Sequence, residues 1–156
     1  MPISKDDALA LLDSVIAKAK KAGAEQVDAL LAQSTSLSHA QRLGEVEKLE
    51  RSEEQDLGLR VLIGKKQAVV SSNDFDSATL DQLVERAVAM AKVVPDDPYC
   101  GLAEPAQLVT QRPDIDSLDP QEPAPERLIE LARAAEEAAR AVKGVTNSEG
   151  AEAGWG

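Results

Sequence analysis

Gln55-Asp56-Leu57-Gly58-Leu59-Arg60-Val61-Leu62-Ile63-Gly64-Lys65-Lys66-Gln67-Ala68-Val69-Val70 sets two apolar alternating runs on either side of a turn signal. Leu57, Leu59, Val61 and Ile63 share one side of an extended chain, and Ala68 and Val70 resume the pattern after Gly64, Lys65 and Lys66. The stretch reads as a β-hairpin with a cationic tip in water. Its β-branched and aliphatic density demands a packing partner, so Leu59, Val61, Ile63 and Val70 are expected in a core.

Helical patterns on both sides supply that partner. Ser4 is placed to cap a first helix whose opening turn carries Asp6 and Asp7, where the positive end of the helix dipole favours carboxylates. Leu9, Leu12, Val15, Ile16 and Ala19 follow at three- and four-residue spacing, and Gly23 stops the run. Beyond the hairpin, Asn73, Asp74, Asp76 and Ser77 form a turn and cap cluster. Leu80, Leu83, Val84, Ala87, Val88 and Ala91 then give a second helix that ends before Pro95.

Between the first helix and the hairpin, Val27 to Ser34 alternates as a strand, and Thr35 and Ser36 are expected to turn the chain into Leu37 to Leu43. Gly44 interrupts before the charged Glu45 to Arg51. A long strand bent at a glycine bulge and two short strands both fit. Ser52 to Asp56 reads as a polar connection into the hairpin.

All of the eight prolines except Pro2 fall between Pro95 and Pro125, with no periodicity surviving there; this reads as a linker wrapped on a surface. Pro125 suits the first turn of a third helix, with Leu128, Leu131, Ala132, Ala135, Ala139 and Val142 as its apolar stripe beside Glu126, Arg133, Glu136, Glu137 and Arg140. Gly144 ends it, and Val145, Thr146 and Asn147 read as the start of a strand left unfinished, which suggests a piece of a longer protein. The expected organisation is an α/β domain over residues 1–94, a Pro/Asp-rich linker over 95–124, and the opening of a second domain over 125–156. In fold class it is α+β, an antiparallel sheet around the central hairpin covered by two helices.

The 156 residues are 43% apolar, but Phe75, Tyr99 and Trp155 are the only aromatic ones, so aliphatic side chains must fill the interior. A formal charge of −11, from 28 acidic and 17 basic residues, repels phosphate backbones and anionic membranes, so direct nucleic-acid binding is not expected. The single cysteine, Cys100, excludes an intramolecular disulfide and fits a reducing compartment. Residues Met1 to Lys5 lack the pattern of a signal peptide, and no run approaches the roughly 18 apolar residues of a membrane span. A cytoplasmic protein is expected.

No catalytic constellation is apparent. His39 is the only histidine, so no His-His zinc pair is possible, and its polar neighbours favour a surface position. Cys100, in the turn-like Asp97-Pro98-Tyr99-Cys100-Gly101, would need a base to act as a nucleophile. Asp114, Asp116 and Asp119 lack the glycine and terminal glutamate of a calcium loop and read as solvated acids. Glu45, Glu47, Glu50, Glu53, Glu54 and Asp56 read as a charged, exposed edge rather than a paired acid and base. Arg60, inside the apolar hairpin, is expected to pair with a carboxylate such as Glu47 or Glu50. The residues themselves assign no catalytic, cofactor-binding or metal position.

The succession Gly44-Glu45-Val46-Glu47, Gly58-Leu59-Arg60-Val61, Ala68 to Asp74, Asp97-Pro98-Tyr99-Cys100-Gly101-Leu102-Ala103 and Thr146-Asn147-Ser148-Glu149-Gly150 resembles the N-terminal part of the TldD/PmbA family, also called modulators of DNA gyrase. The Asp-Pro-x-Cys-Gly and Thr-Asn-x-Glu-Gly pieces are closer to its PmbA (TldE) branch. The resemblance implies a cytosolic prokaryotic subunit that joins a TldD-type partner in a heteromeric zinc metalloprotease acting on unfolded or small peptides. It also implies that the zinc site, an H-E-x-x-x-H helix, belongs to the partner, and it carries no catalytic residue onto this chain. Two rival readings follow from the residues: a free-standing module docking a basic partner on the acidic Glu45 to Asp56 edge, and an independent hydrolase using carboxylates.

Overall fold

A computed structural model describes residues 3–111, 113–117 and 121–156. In chain order the elements are α1 (Lys5–Lys21), β1 (Gln26–Arg42), β2 (Glu45–Ile63), β3 (Lys66–Ser72), α2 (Ser77–Val93), a short 3-10 helix (Pro105–Gln107), α3 (Pro125–Arg140) and β4 (Ala151–Trp155). The strands form one sheet in the order β3-β2-β1-β4. The α+β class expected from the hairpin and its flanking helices is the one observed.

The chain groups into two compact units, one from Met1–Gln33 and Glu54–Arg112, the other from Ser34–Glu53 and Pro113–Gly156. Strands β1 and β2 therefore each contribute to both.

In the first unit the expected hairpin forms, with Leu59 opposite Val70 and Val61 opposite Ala68. Gly64 takes the positive φ of 58° that its turn requires. Leu57, Leu59 and Val61 are fully buried and pack with Val15 and Ala19 of α1 and with Leu80, Val84 and Ala87 of α2, while Ile63 is partly buried against this cluster. Ser4 caps α1 by accepting the Asp7 N–H at 3.2 Å, and Asp76 caps α2 by accepting the Ala78 N–H at 3.0 Å. The Lys18 ammonium lies 2.7 Å from the Asp81 carboxylate, linking the two helices.

In the second unit α3 lays Leu128 and Ala132 into the interior at four-residue spacing. Pro125 opens the helix, where its missing N–H costs nothing. β4 pairs antiparallel with β1, placing Trp155 opposite Leu37 and Ala153 opposite His39.

Local expectations need correction at four places. No turn occurs at Thr35 and Ser36, because β1 is continuous. The reason is parity: Val27, Ala29, Leu31, Leu37, His39 and Gln41 all occupy odd positions, so a single extended strand keeps every one of them on the same face. Likewise Ser52 to Asp56 is not a connection but the middle of β2. Of the two readings at Gly44 the separate strands are observed and the bulge is not: Gly44 makes a two-residue turn with Leu43, at φ of 87° and 53°, and the strands on either side are long rather than short. Val145, Thr146 and Asn147 do not begin a strand; β4 starts at Ala151, after Gly150 reaches a φ of 103°.

Candidate functional site

The densest polar arrangement in the second unit surrounds Glu136. The four-residue spacing that buries Leu128 and Ala132 carries Glu136 inward with them, and it is only 3% exposed. Its Oε1 accepts the Leu43 N–H at 2.6 Å, and Oε2 accepts the Gly44 N–H at 3.0 Å and the Gln41 Nε2–H at 3.0 Å. Burial alone would raise its pKa. The Leu43 N–H, the Gln41 amide, the Ser148 hydroxyl and the Gly44 N–H outweigh that penalty and hold the carboxyl at about 2. A buried carboxylate with these donors is a clamp on the β1–β2 turn. It holds Leu43 at a φ of 53°, which a branched L-residue otherwise avoids.

The Thr146-Asn147-Ser148-Glu149-Gly150 segment completes this arrangement. The Ser148 carbonyl accepts the Arg42 Nε–H at 3.0 Å, and the Ser148 Oγ accepts the Gly150 N–H at 2.9 Å. A Cβ on Gly150 would lie 2.5 Å from the Gln41 carbonyl oxygen, so the glycine is what lets β4 start close beside β1. A shallow pocket of about 260 Å³ opens beside it, lined by Ala40, Gln41, Glu47, Glu149, Gly150 and Glu152 among others. Its carboxylates have no histidine or cysteine beside them among the lining residues.

In the first unit, the Arg60 guanidinium donates to both carboxylate oxygens of Asp28, at 2.9 Å from Nε and 2.5 Å from NH2. The partner is thus Asp28, not Glu47 or Glu50. That hydrogen-bonded carboxylate raises the Arg60 pKa further above its ordinary value. The two-pronged geometry fixes the pair on the sheet face opposite the helices. The Asp97-Pro98-Tyr99-Cys100-Gly101 loop binds the hairpin tip: the Asp97 N–H donates to the Lys65 carbonyl at 2.7 Å, and the Cys100 N–H to the Asp97 carbonyl at 3.2 Å.

Other singled-out residues fall as follows. His39 is fully buried rather than exposed, because β1 runs straight and gives it the parity of Leu37 and Gln41. Neither ring nitrogen has a hydrogen-bond partner among the described residues. Cys100 is buried, and it belongs to the first unit whereas His39 belongs to the second. Glu45, Glu47, Glu50, Glu53, Glu54 and Asp56 are exposed. Within that stretch Arg51 bonds Glu53 and Glu122, and Lys48 pairs with Glu50 at 2.7 Å. The Asp116 N–H donates to Asp114 Oδ1 at 3.1 Å in a local turn, and Asp119 lies outside the described residues. Among the described residues, no group of three His, Cys, Asp or Glu side chains is placed to hold a metal ion. By residue type Glu136 reads as part of the polar flank of α3; its four-residue interval from Ala132 is the signal that it points inward.

Comparison with known proteins gives these arrangements a family context. The family described as PmbA/TldA metallopeptidase domain 1 matches residues 27–91. The protein called Metalloprotease PmbA from Escherichia coli O157:H7 is 35% identical over 136 residues, 86% of this chain and 30% of that protein. A Metalloprotease PmbA homolog from Haemophilus influenzae is 31% identical over 134 residues, 85% of this chain and 30% of the homolog. The chain thus spans about a third of the length of these relatives. Among solved structures, a protein described as a modulator of DNA gyrase from Bacteroides thetaiotaomicron superposes with a TM-score of 0.74 at 21% identity, covering 98% of this chain and 35% of that one. TldE from Thermococcus kodakarensis superposes at 0.68 and 17% identity, covering 92% of this chain and 32% of that one. These two likenesses establish a shared fold.

Proposed function

Because this chain belongs to the PmbA/TldD family, we propose that it is the N-terminal part of a PmbA/TldE-like subunit in a heteromeric TldD/TldE zinc metalloprotease. The assembly would process unfolded or small peptides in the cytoplasm, and this part of it would be structural. The observation that carries the reading is the identity to a protein named Metalloprotease PmbA, which extends over most of this chain.

The use made of the polar side chains favours a structural role. Glu136, Ser148 and Gln41 spend their hydrogen-bonding groups on the β1–β2 turn and the start of β4, and Arg60 spends its guanidinium on Asp28. The described residues also do not suit zinc, which needs three or four ligands converging on one point. His39 is the single histidine and Cys100 the single cysteine, and among the described residues no three His, Cys, Asp or Glu side chains are grouped to hold a metal ion. On this reading zinc and the hydrolytic step reside in the TldD-type partner.

A peptide-cleavage assay on four samples tests the division of labour: this chain, the full-length subunit, the TldD-type partner, and subunit plus partner. Cleavage should require the partner, be enhanced by the full-length subunit, and be absent with this chain alone. Cleavage by this chain alone would instead favour a carboxylate hydrolase.

A further inference from the structure

We propose that the lysine-rich end of the first unit, where the tip of the β2–β3 hairpin meets the C-terminal ends of α1 and α2, docks an acidic polypeptide segment that also carries apolar side chains. Printed contacts on both sides bring these ends together. Glu25, just past α1, donates its N–H to the Leu62 carbonyl at 2.9 Å, and its carboxylate accepts the Gly64 N–H at 3.0 Å. From the α2 side, the Lys66 ammonium donates to the Lys92 carbonyl at 3.3 Å, and the Asp97 N–H donates to the Lys65 carbonyl at 2.7 Å. Five of the nine lysines, Lys20, Lys21, Lys65, Lys66 and Lys92, therefore share one end of a unit in a chain of net charge −11.

Helix dipoles account for only part of this gathering. Lys20, Lys21 and Lys92 lie in last helical turns, where a cation is favoured. Lys65 and Lys66 belong to the hairpin tip and complement no helix end of their own. None of the five is in an ion pair among the described residues, and all but the half-buried Lys66 are exposed. The acids at the same end, Glu25, Asp96 and Asp97, do not balance them. Glu25 and Asp97 moreover turn oxygens to backbone, Asp97 Oδ1 accepting the Tyr99 N–H at 2.9 Å. Like charges held this close repel one another, and an anionic partner relieves that repulsion.

Apolar surface at the same place selects the kind of anion. Tyr99 is 95% exposed and Val93 80% exposed, the two highest values among the large apolar side chains described. Val93 follows Lys92 directly, and Tyr99 stands on the loop that Asp97 pins to Lys65. A held, exposed tyrosine with a cationic surround has the make-up of an interface anchor and its polar rim. Its complement is a chain in which carboxylates alternate with apolar side chains. A nucleic acid or an anionic bilayer extends its charge well beyond this end and meets the rest of an acidic protein, whereas a short segment meets only charges within a Debye length of about 8–10 Å.

The test uses this chain as it stands. A short fluorescein-labelled peptide of repeating Glu-Asp-Phe-Gly is titrated by fluorescence anisotropy beside three other probes: the peptide with Gln and Asn for its acids, oligo-dT, and phosphatidylserine vesicles. Two variants remove parts of the surface, Lys65→Gln with Lys92→Gln, and Tyr99→Ala. A control, Arg133→Gln with Lys143→Gln, removes the same charge from exposed positions of the second unit. Saturable binding of the acidic peptide is expected, weakened about tenfold by the double lysine variant and several-fold by Tyr99→Ala, with the control close to the parent. The neutral peptide should not bind. All the substituted side chains are exposed, and circular dichroism verifies that each variant keeps its fold. Absence of saturable binding, an equal loss in the control, or unchanged affinity in either surface variant would overturn the proposal. Tighter binding of oligo-dT or of the vesicles than of the peptide would overturn the choice of a polypeptide. None of these outcomes bears on the cleavage assay, so the two readings fail separately.

Discussion

The Leu43 backbone N–H donates to the Glu136 carboxylate at 2.6 Å, across a sequence separation of 93 residues. One side chain of α3 thereby fixes the turn that joins the two longest strands. The turn needs fixing, because Leu43 sits at a φ of 53°. Non-glycine residues persist in that region only where the surroundings hold them.

The first prediction concerns pH. The folded-state pKa of Glu136 is depressed to about 2 from an ordinary value of 4.5. The folded state then binds fewer protons than the unfolded one, so this group's contribution to stability is fully present above the unfolded pKa and is lost as pH falls from about 4.5 towards about 2. Thermal unfolding followed between neutral pH and pH 2 should show a decline across that window. In Glu136→Gln the decline should be shallower and the neutral-pH Tm lower, because an amide cannot accept all of these bonds. A variant curve parallel to that of the parent would remove Glu136 from the account.

Strain at Leu43 gives a second prediction. Asparagine tolerates positive φ better than leucine does, so Leu43→Asn should stabilise the chain by about 1 kcal/mol while the clamp is intact. Leu43 is half exposed, so little apolar packing is lost. Denaturant unfolding measures the change. A double-mutant cycle with Glu136→Gln should show coupling, since without the clamp the backbone is free to relax.

The hairpin was legible because it satisfies two rules at once, alternation over Leu57 to Ile63 and a glycine at its tip. The first unit's packing followed, since Val15, Leu80 and Val84 recur on helical periods that point at that face. Three things were less legible. Thr35 and Ser36 look like a turn locally, and only the shared odd parity of Val27 and Leu37 shows that the strand continues. Glu136 looks like surface by residue type, and its inward position rests on partners at Leu43 and Ser148 that no local pattern announces. Ala151 to Trp155 has weak strand propensity, and it becomes a strand because β1 offers it a partner. Long-range pairing decided each of these.

The core assignment gives a third prediction. Val61 and Leu59 are fully buried. Leu59→Ala should cost about 2–5 kcal/mol through lost transfer energy and a residual cavity. Val61→Asp places an unpaired carboxylate in the same interior and should leave little cooperative unfolding to measure. A melting temperature within a degree of the parent in either variant would contradict the packing of α1 and α2 on this face.

His39 yields a prediction of opposite sign. Its imidazole is fully buried, and neither nitrogen finds a partner among the described residues. An unsatisfied buried polar group costs about 1–3 kcal/mol, so replacement by an apolar side chain of similar size should recover part of that. His39→Leu is expected to raise the Tm. A fall of several degrees would show that buried water bonds the ring in solution.

Gly150 supplies the last prediction, and it tests whether the Thr-Asn-x-Glu-Gly segment serves architecture. Two independent constraints meet at this residue: a φ of 103°, outside the range of L side chains, and a Gln41 carbonyl oxygen 2.5 Å from where a Cβ would sit. The oxygen belongs to backbone, which has no flexible end to move aside. Gly150→Ala should therefore cost at least about 1–3 kcal/mol and do so locally, by pushing β4 away from β1. Hydrogen exchange resolves the location. Amides of Ala151 to Trp155 and their β1 partners from Leu37 to Gln41 should lose protection, while those of Leu59 and Val61 in the first unit keep theirs. Ser148→Ala removes the hydroxyl that donates to Glu136 and accepts the Gly150 N–H, so it should weaken the same strand to a lesser degree. Uniform loss of protection across both units would mean that they unfold as one, and unchanged protection in Gly150→Ala would mean that β4 does not depend on this close approach.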